Sequence, residues 1–463
     1  MADGAEQLEQ RLARYRERGV AHIKLGLTDI DGVIRGKYVS LDKFIGVMGK
    51  GGGFCDCVFG WDVDDQLYDS GADGALPYTG WHTGFPDAHF RLLADSERWL
   101  VDEGCPYFVG EFVAADGGAH PLCPRTRLGT MLERLASSGL SMKAGFEFEF
   151  FVFAETAHSI REKGYRNLQP LTPGNFGYSV LRASSLAEQF SGLMEYCQSL
   201  DCDIEGLHCE TGPGVWEAAL QATDGVEAAD RANLFKTFAK VFFNRRDCLA
   251  TFMAKWSMDY PGQSGHFHFS LLDDTGRNVF FDAADPAQMS AVQKHAVAGL
   301  ERYLPEYLAL VAPTINSYTR LVKGAWAPTA STWGVENRTA AIRVIPGGEH
   351  SQRVECRVPG ADANPYLVAA AVCAAALGGI EEQLQPGEAV TGNAYDVEDT
   401  LPASHCFAAN LRSAAERLDG SQHARHMLGD AFVDHFVMTR LWECAEYERN
   451  LNSWQLERYF EII

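Results

Sequence analysis

The segment GFEFEFFVF, residues 145–153, restricts the fold most strongly, because it combines the alternation of a β-strand with two carboxylates. Successive side chains of a strand point to opposite faces, so Glu147 and Glu149 share one face and the intervening phenylalanines share the other. The two carboxylates would lie about 6 to 7 Å apart along the strand. Two acids that face a core repel each other and are costly to desolvate. Two interpretations follow: a solvated acidic face, or a site for Mg²⁺ or Mn²⁺, which paired carboxylates suit.

Three further segments also place charged or polar residues on one strand face and apolar residues on the other. These residues are His266, His268 and Ser270 in SGHFHFSLL, Arg353, Glu355 and Arg357 in RVECRVP, and Glu210 and Glu217 on either side of the glycine-proline loop in IEGLHCETGPGVWEAAL. A single polar strand face is common in soluble proteins. Four such faces would make a costly core unless they surround cations and anionic ligands. The combination therefore favours a metal site over a solvated face.

The block NSYTRLVKGAWAPTASTWGVENRTAAIRVIP adds three arginines, Arg320, Arg338 and Arg343. Guanidinium groups bind phosphates and carboxylates through two parallel hydrogen bonds. Beside a carboxylate-metal cluster, they indicate a nucleoside triphosphate and an acidic substrate. The sequence contains neither a GxxxxGK[ST] phosphate-binding loop nor a GxGxxG turn, so metals and arginines would have to hold the phosphates.

Composition excludes several classes of partner. The net charge of −22 disfavours nucleic acids and anionic membranes, because both repel an acidic protein. No apolar run reaches the length of about 18 residues that a membrane span needs. The longest candidate, Tyr366–Ile380, is predicted to be a buried core helix with Asn364 as its N-cap and Pro365 in its first turn. The twelve scattered cysteines and the charged N-terminal segment, which shows no signal peptide, favour reduced thiols and a cytoplasmic protein.

The residue pattern of the chain changes near residue 117. After a charged N-terminal helix, AHIKLGLTDIDGVIRGKYVSLDKF predicts a hairpin with its turn at Asp31-Gly32. Residues 50–87 are rich in glycine, aspartate and aromatic residues, which is typical of long functional loops. A helical pattern then begins near Pro124. We therefore expect two domains, 1–117 and 118–463.

Seven segments together resemble the signature blocks of the glutamine synthetase family. In chain order they are GFEFEFF, ETGPGVWE, TFMAKW, SGHFHFSL, NSYTRL, ENRTAAIRV and RVECRVPGADANPYL, and LTDIDGVIRGKYVS resembles the family's N-terminal β-grasp domain. The resemblance implies an α+β fold: a β-grasp domain followed by a catalytic domain with the curved antiparallel sheet shared with guanido kinases. It also implies ATP-dependent phosphorylation of the γ-carboxylate of glutamate, followed by attack of an amine on the γ-glutamyl phosphate.

The resemblance assigns roles to individual residues. Glu149, Glu210 and Glu217 are expected to bind the metal nearest glutamate, and Glu147, His266 and Glu355 the metal on the ATP phosphates. Glutamate contacts are expected from Gly265, Arg320 and Arg357, and ATP contacts from His268, Ser270, Arg338, Arg343 and Arg353. Arg338 and Arg357 are expected to act on the transferred phosphoryl group. In the loop before His266, PGQSGHFH is one residue shorter than the family string NGSGMHVH, which leaves the contact to the glutamate amino group open.

Two departures from the family pattern concern the amine. Ammonia-using relatives carry a flap glutamate in a motif like PGYEAP, whereas this chain has KGAWAP with Trp326 at that place. An indole can pack on a larger amine and attract a cation through its ring face; alternatively, it is a lid residue without a role in selectivity. The acidic loop FDGSSI is replaced by VFGWDVDD, which makes Asp62 the expected base, with Asp64 and Asp65 as alternatives. The amine pocket is expected to contain Tyr178, Trp61, Trp81 and Trp326.

These features predict a γ-glutamyl-amine ligase that uses ATP, L-glutamate, a primary amine other than ammonia, and two to three Mg²⁺ or Mn²⁺ ions per site. The aromatic pocket favours a monoamine over a dicationic polyamine. Family resemblance implies a homo-oligomer, a dodecamer of two hexameric rings whose active sites are shared between subunits. Two alternatives stay open: a glutamine synthetase with an unusual flap, and a non-catalytic scaffold of the same fold.

Overall fold

The protein is described by a computed structural model that covers residues 2–69, 74 and 76–462. It has a mixed α+β architecture with two sheets, one before and one after residue 117. Within the described part of the chain, we find no helix with both the length and the apolar character that crossing a bilayer requires.

The N-terminal sheet has six strands in the order β2-β1-β6-β4-β3, with β5 paired to β6. The strands are β1 (His22–Thr28), β2 (Ile34–Ser40), β3 (Gly52–Cys55), β4 (Asp87–Leu92), β5 (Arg98–Leu100) and β6 (Cys105–Val113), and the helices of this part are α1 (Ala2–Glu17) and α2 (Leu41–Lys50). Strands β1 and β2 form the predicted antiparallel hairpin, whose turn contains Asp31 and Gly32. Strand β1 also pairs in parallel with β6, which places the hairpin beside the middle of the sheet.

The larger sheet has nine strands in the order β13-β14-β15-β12-β7-β9-β8, and two short strands, β10 and β11, pair with β7. The strands are β7 (Leu140–Phe153), β8 (Ile204–Cys209), β9 (Val215–Leu220), β10 (Thr223–Asp224), β11 (Leu249–Thr251), β12 (Gly265–Asp273), β13 (Trp333–Val335), β14 (Ile342–Ile345) and β15 (Arg353–Cys356). All pairs are antiparallel except β13 with β14. The predicted α+β class with an antiparallel catalytic sheet is therefore confirmed.

The described helices after residue 117 are α3 (Pro124–Ser137), α4 (Ala157–Glu162), α5 (Val180–Ser185), α6 (Ala187–Gln198), α7 (Gly225–Asn244), α8 (Ala291–Tyr303), α9 (Leu308–Val311), α10 (Ser317–Arg320), α11 (Pro365–Glu381), α12 (Leu411–Asp419), α13 (Gln422–Leu428), α14 (Asp430–Arg449) and α15 (Ser453–Tyr459). Of these, α3 and α7 pack on β7, α6 packs on β8 and α8 packs on β14. Helix α11 is the predicted core helix: it is buried along most of its length, and the Asn364 side chain accepts a hydrogen bond from the Tyr366 amide. The phenylalanines of β7 that alternate with its glutamates are buried in the same core.

The link between the two parts, residues 114–123, contains the predicted boundary at 117, which stays a prediction. Polar contacts join the parts at the hairpin turn. The Asn364 amide donates to the carbonyl oxygens of Asp29 and Ile30, and Arg440 donates to the Asp31 carboxylate at 2.6 Å. The turn between β1 and β2 is therefore held against the start of α11 and the middle of α14.

The C-terminal segment WECAEYERNLNSWQLERYF has a helical pattern and is divided between two helices. Helix α14 ends at Arg449 and α15 begins at Ser453. Asn452 separates them because its side chain accepts from the Gln455 amide in a reciprocal capping box. An asparagine that caps a new helix competes with continuation of the previous one.

Candidate active site

Neighbouring strands of the larger sheet place the charged residues of their polar faces opposite one another. The opposed pairs are Glu147 with His266, Glu149 with Glu217, Glu355 with His268, and Glu355 with Arg343. Because side chains opposite each other on one face are neighbours, this register assembles a continuous charged surface across β9, β7, β12, β15 and β14. The loop between β8 and β9 adds Glu210 beside Glu217.

This surface forms the wall of a cavity of about 600 Å³. All six residues expected to bind metal line it, together with Arg320, Arg338, Arg343, Arg357, Tyr178 and Trp326. Expected site residues that lie far apart in the sequence therefore line one cavity. Gly265 is not among the lining residues: its amide donates to the Pro359 carbonyl oxygen, and its neighbour Ser264 lines the cavity instead.

The first acidic cluster joins Glu147 and Glu355 to two imidazoles. His266 Nδ1 lies 3.5 Å from Glu147 and 3.4 Å from Glu355, and His268 Nε2 lies 3.2 Å from Glu147. Burial alone would raise the pKa of both carboxyls, but the two histidines outweigh it for Glu147 and lower its pKa. The histidines and Arg357 likewise lower the pKa of Glu355 to about 2. Both carboxylates are therefore held ionised inside a buried wall.

The second acidic cluster contains Glu149, Glu210 and Glu217. Burial, followed by the charges of Glu149, Glu147 and Glu210, raises the pKa of Glu217 to about 9. The mutual repulsion shows that this group of carboxylates needs positive charge in order to be fully ionised. Glu149 is partly engaged, since its Oε2 accepts from the Ser264 amide at 2.6 Å.

The donor atoms of both clusters fit divalent cations. Ligand atoms of Glu147, His268 and Glu355 lie within 4.8 Å of one another, and so do those of His208, Glu210 and Glu217. In the described structure, His266 Nε2, His268 Nε2 and Glu210 Oε2 are buried without a hydrogen-bond partner. Buried polar atoms normally have partners, so unpaired donor atoms beside the two acidic clusters fit metal coordination. Carboxylate oxygens with a minority of imidazole nitrogens suit Mg²⁺ or Mn²⁺.

Two arginines flank Glu355 on opposite sides. Arg343 donates to Glu355 Oε2 at 3.0 Å and also pairs with Glu336. Arg357 pairs with Glu355 Oε1, and its Nε donates to the Arg338 carbonyl oxygen at 3.1 Å. Guanidinium groups can bind phosphate oxygens, and these two lie on the side of the cavity that holds the first cluster.

Arg320 lines the same cavity and is only 2% exposed. Its Nη1 donates to the Val358 carbonyl oxygen at 2.8 Å, and its Nη2 donates to Ser264 Oγ at 2.9 Å. No carboxylate lies within ion-pair distance of Arg320 in the described structure. A buried guanidinium that lines a cavity under these conditions is suited to an anionic ligand.

A second cavity of about 340 Å³ adjoins the first and shares Glu147 with it. Three of the residues expected to contact ATP line it: His268, Ser270 and Arg353. Arg353 Nε lies 3.4 Å from His268 Nδ1, and Ser270 Oγ donates to the Gln352 carbonyl oxygen at 2.8 Å. Arg338 and Arg343 line the first cavity instead, so the expected ATP residues run from one cavity to the other.

The residues expected to form the amine pocket separate into two groups. Tyr178 and Trp326 line the first cavity, and each has a backbone φ of 58°. This left-handed conformation costs roughly 1 to 2 kcal/mol for a residue with a Cβ atom, and such strain concentrates at functional sites. Both side chains are mostly exposed, at 71% and 62%. They form an aromatic rim at the mouth of the cavity.

Asp62, Trp61 and Trp81 line neither cavity of the single chain. Asp62 is 8% exposed, and its Oδ1 accepts from the amides of Asp64 and Gln66, so it closes its own loop. Asp65 pairs with Arg35, while Trp81 is 83% exposed and contacts Phe85. Loop 60–66 therefore holds the Asp62 carboxylate in place. Within one described chain, this carboxylate does not lie in either cavity.

Sequence interpretation missed His208. It lies on β8 opposite Glu217, and its Nε2 lies 3.3 Å from Glu210 Oε2. The signal was present, because His208 and Glu210 are two residues apart and share a parity in an alternating segment. It also missed Phe151 and Val215, apolar residues in the wall of the first cavity, and Glu205 in the wall of the second.

Comparison with known proteins places these features in a family. A model of the glutamine synthetase catalytic domain matches residues 121–459. The chain is 43% identical to type-1 glutamine synthetase 2 of Dictyostelium discoideum over 452 residues, 95% of this chain and 84% of that protein. It is 34% identical to the glutamate–isopropylamine ligase of Pseudomonas sp. over 467 residues, 99% and 100% of the two chains. A solved GmaS/ADP complex superimposes with a TM-score of 0.83 at 26% identity, covering 97% of this chain and 98% of that one.

Proposed function

The chain belongs to the glutamine synthetase family and is an ATP-dependent carbon–nitrogen ligase, and on that premise we propose that it joins L-glutamate to a primary amine other than ammonia. Family members use ATP and divalent metals. The products would be a γ-glutamylamide, ADP and phosphate. The observation that carries the choice of amine is the aromatic rim, in which Trp326 stands where ammonia-using relatives place a carboxylate.

The reaction has two steps. An oxygen of the glutamate γ-carboxylate attacks the γ-phosphorus of ATP, the bond to the bridging oxygen breaks, and ADP leaves. The amine nitrogen then attacks the carbonyl carbon of the acyl phosphate, phosphate leaves, and the nitrogen loses a proton to a base. Two or three Mg²⁺ or Mn²⁺ ions held by the two acidic clusters would supply charge neutralisation at the phosphates.

The residues of this chain supply binding and positioning. Arg320 would hold the glutamate α-carboxylate, since it is buried and lies beside Ser264 at the cavity wall. Arg338, Arg343 and Arg357 would face the transferred phosphoryl group. Positioning and fixed positive charge account for most of the catalysis in phosphoryl transfer.

The charged residues that line the first cavity support an amine with one nitrogen. Every carboxylate that lines the first cavity, within the described chain, belongs to one of the two acidic clusters. Within one chain, a second ammonium group of a diamine would therefore find no separate carboxylate in this cavity. The rim residues Tyr178 and Trp326 offer ring faces to an organic amine instead.

Initial rates of ADP release should separate ammonium from organic amines. The panel contains ammonium, a short alkylamine, ethanolamine, an arylamine and a diamine. We expect kcat/KM for a monoamine to exceed that for ammonium by at least about tenfold, or about 1.4 kcal/mol. Trp326→Glu should shift the preference towards ammonium, whereas the matched control Trp326→Phe should keep it. Ammonium as the best substrate of the unaltered protein would refute the proposal.

A second function has its own support. The 43% identity to a protein named glutamine synthetase favours ammonia as the nucleophile. The same panel decides between the two, because a glutamine synthetase would prefer ammonium in spite of Trp326. Glu149→Ala should abolish ADP release with either nucleophile, and a non-catalytic scaffold would have no turnover to lose.

We further propose that Asp62 deprotonates the amine in a site completed by a neighbouring subunit of a cytoplasmic homo-oligomer, with a dodecamer as the expected assembly. The support is that Asp62 is buried and ordered but lines neither cavity of its own chain. Mixing inactive Asp62→Ala and Glu149→Ala subunits should restore part of the activity, because some sites would then receive both intact residues. No restoration after subunit exchange would contradict a shared site.

Asp62 also closes its own loop, so loss of activity alone would be ambiguous. Asp62→Asn keeps an oxygen that can accept from the amides of Asp64 and Gln66, whereas Asp62→Ala removes it. If Asp62 is the base, both variants should lose activity but only Asp62→Ala should lose thermal stability. An active Asp62→Asn would assign the residue to loop structure alone.

A further inference from the structure

The second acidic cluster contains an imidazole as well as carboxylates. His208 of β8 stands opposite Glu217 of β9. Its Nε2 lies 3.3 Å from Glu210 Oε2 and 3.8 Å from Glu217 Oε1. Nitrogen and oxygen donors of one polar strand face and its adjoining loop therefore surround a common point.

These separations match those between ligands of one cation. Nitrogen and carboxylate ligands lie about 2.0 to 2.2 Å from a divalent transition metal. Two such ligands at angles between 90° and 120° are therefore about 3 to 4 Å apart. Both separations at His208 fall in this range.

The imidazole and the carboxylate are close together, but their geometry is not that of a good hydrogen bond. Within the described structure, His208 Nε2 and Glu210 Oε2 are both buried atoms, and neither has a hydrogen-bond partner. They are 3.3 Å apart, yet they do not form a hydrogen bond of acceptable geometry. Leaving a buried acceptor unpaired costs about 1 to 3 kcal/mol, so two unpaired atoms that point to the same place indicate a missing shared partner.

Tyr178 fixes the orientation of the imidazole. Its ring stacks on His208 with the centroids 4.4 Å apart and the planes at 11°. The Tyr178 amide donates to the Cys209 carbonyl oxygen at 2.7 Å, which ties the tyrosine to the end of the strand that carries His208. A ring held in this way keeps Nε2 directed at the carboxylates.

We propose that His208 is a nitrogen ligand of the cation bound by Glu210 and Glu217, and that it makes this site favour a first-row transition cation over Mg²⁺. Imidazole nitrogen binds transition metals better than it binds Mg²⁺, which prefers oxygen ligands and retains its waters. The inference rests on the metal dependence of the proposed ligase but not on the identity of its amine.

Isothermal titration of the ATP-free protein with Mn²⁺ and, separately, with Mg²⁺ tests the selectivity. His208→Gln replaces the nitrogen donor by an amide oxygen, which a hard cation accepts. We expect it to weaken Mn²⁺ binding at one site by at least about tenfold and Mg²⁺ binding by less than about threefold. The matched control His158→Gln, an exposed histidine of α4, should change neither. Equal losses for both cations, or no loss for either, would overturn the proposal.

Electron spin-echo spectroscopy of bound Mn²⁺ tests coordination directly. In a His266→Gln/His268→Gln variant, which lacks the imidazoles of the first cluster, we expect ¹⁴N modulation from His208. Adding His208→Gln should abolish it. Absence of ¹⁴N modulation in the double variant with Mn²⁺ bound would refute nitrogen coordination. A preference for ammonium in the rate assay would refute the proposed amine but leave both metal readouts unchanged.

Discussion

Replacing Glu301 by glutamine should stabilise the protein at alkaline pH but not at acid pH. Glu301 lies on α8, is 8% exposed, and accepts a hydrogen bond from the Gly387 amide at 2.8 Å. Gly387 in turn accepts from Trp333 Nε1, at the start of the strand beside the one that carries Arg343. Glu301 therefore anchors the loop beside the strands that carry Trp333 and Arg343, behind the candidate active site.

The magnitude follows from the pKa of this carboxyl. Burial raises the pKa of Glu301 from 4.5 to about 7, in spite of the Gly387 hydrogen bond. At about 1.4 kcal/mol per pKa unit, the ionised form is disfavoured in the folded state by about 3 kcal/mol. Because the folded-state pKa is raised, the contribution of the wild-type carboxyl is fully present below pH 4.5 and is lost as the pH rises through about 7. Glutamine accepts the same hydrogen bond and does not ionise.

Urea unfolding followed by tryptophan fluorescence, at one fixed protomer concentration, measures the effect. We expect the free energy of unfolding of Glu301→Gln relative to wild type to increase by about 2 to 3 kcal/mol between pH 5 and pH 8.5. The matched control Glu133→Gln, an exposed glutamate of α3, should show no such trend. If the free energies of unfolding of Glu301→Gln and wild type differ by the same amount at both pH values, the reasoning is refuted.

Two further substitutions probe the contact between the hairpin turn and α14 and the proposed glutamate site. Arg440→Met leaves the largely buried Asp31 carboxylate without its ion-pair partner and should lower the free energy of unfolding by about 3 kcal/mol in the same urea assay. A loss no larger than that of the exposed Arg449→Met would contradict this. Ser264→Ala removes the hydroxyl that accepts a hydrogen bond from Arg320. The KM for glutamate should therefore rise about fivefold, which corresponds to about 1 kcal/mol, with little change in kcat. Initial rates at saturating ATP measure both constants, and a fall in kcat alone would contradict the prediction.

Local patterns in the sequence were sufficient for individual elements. The hairpin at Asp31-Gly32, the start of α3 at Pro124, and α11 with its Asn364 cap all follow from turn, cap and apolar signals within a few residues of one another. The C-terminal break was not predicted, because the capping asparagine interrupts a periodicity that continues on both sides of it.

The order of strands and the position of loops depend on long-range packing. No local signal shows that Glu149 faces Glu217, because residues far apart in the chain become neighbours only when the sheet forms. The surrounding structure also decides the left-handed backbone at Tyr178 and Trp326, against the local preference of residues with a Cβ atom. It likewise decides that the Asp62 side chain accepts a hydrogen bond within its own loop.

The sequence alone determined which side chains share a strand face, since the period of two is a property of the backbone, and through its ordered motifs it determined the family. Only the tertiary structure decided which faces meet, which carboxylates repel one another, and which aromatic rings border the cavity. The reason is that pairing register and loop placement depend on the packing of the whole core against both sheets, which no single segment encodes.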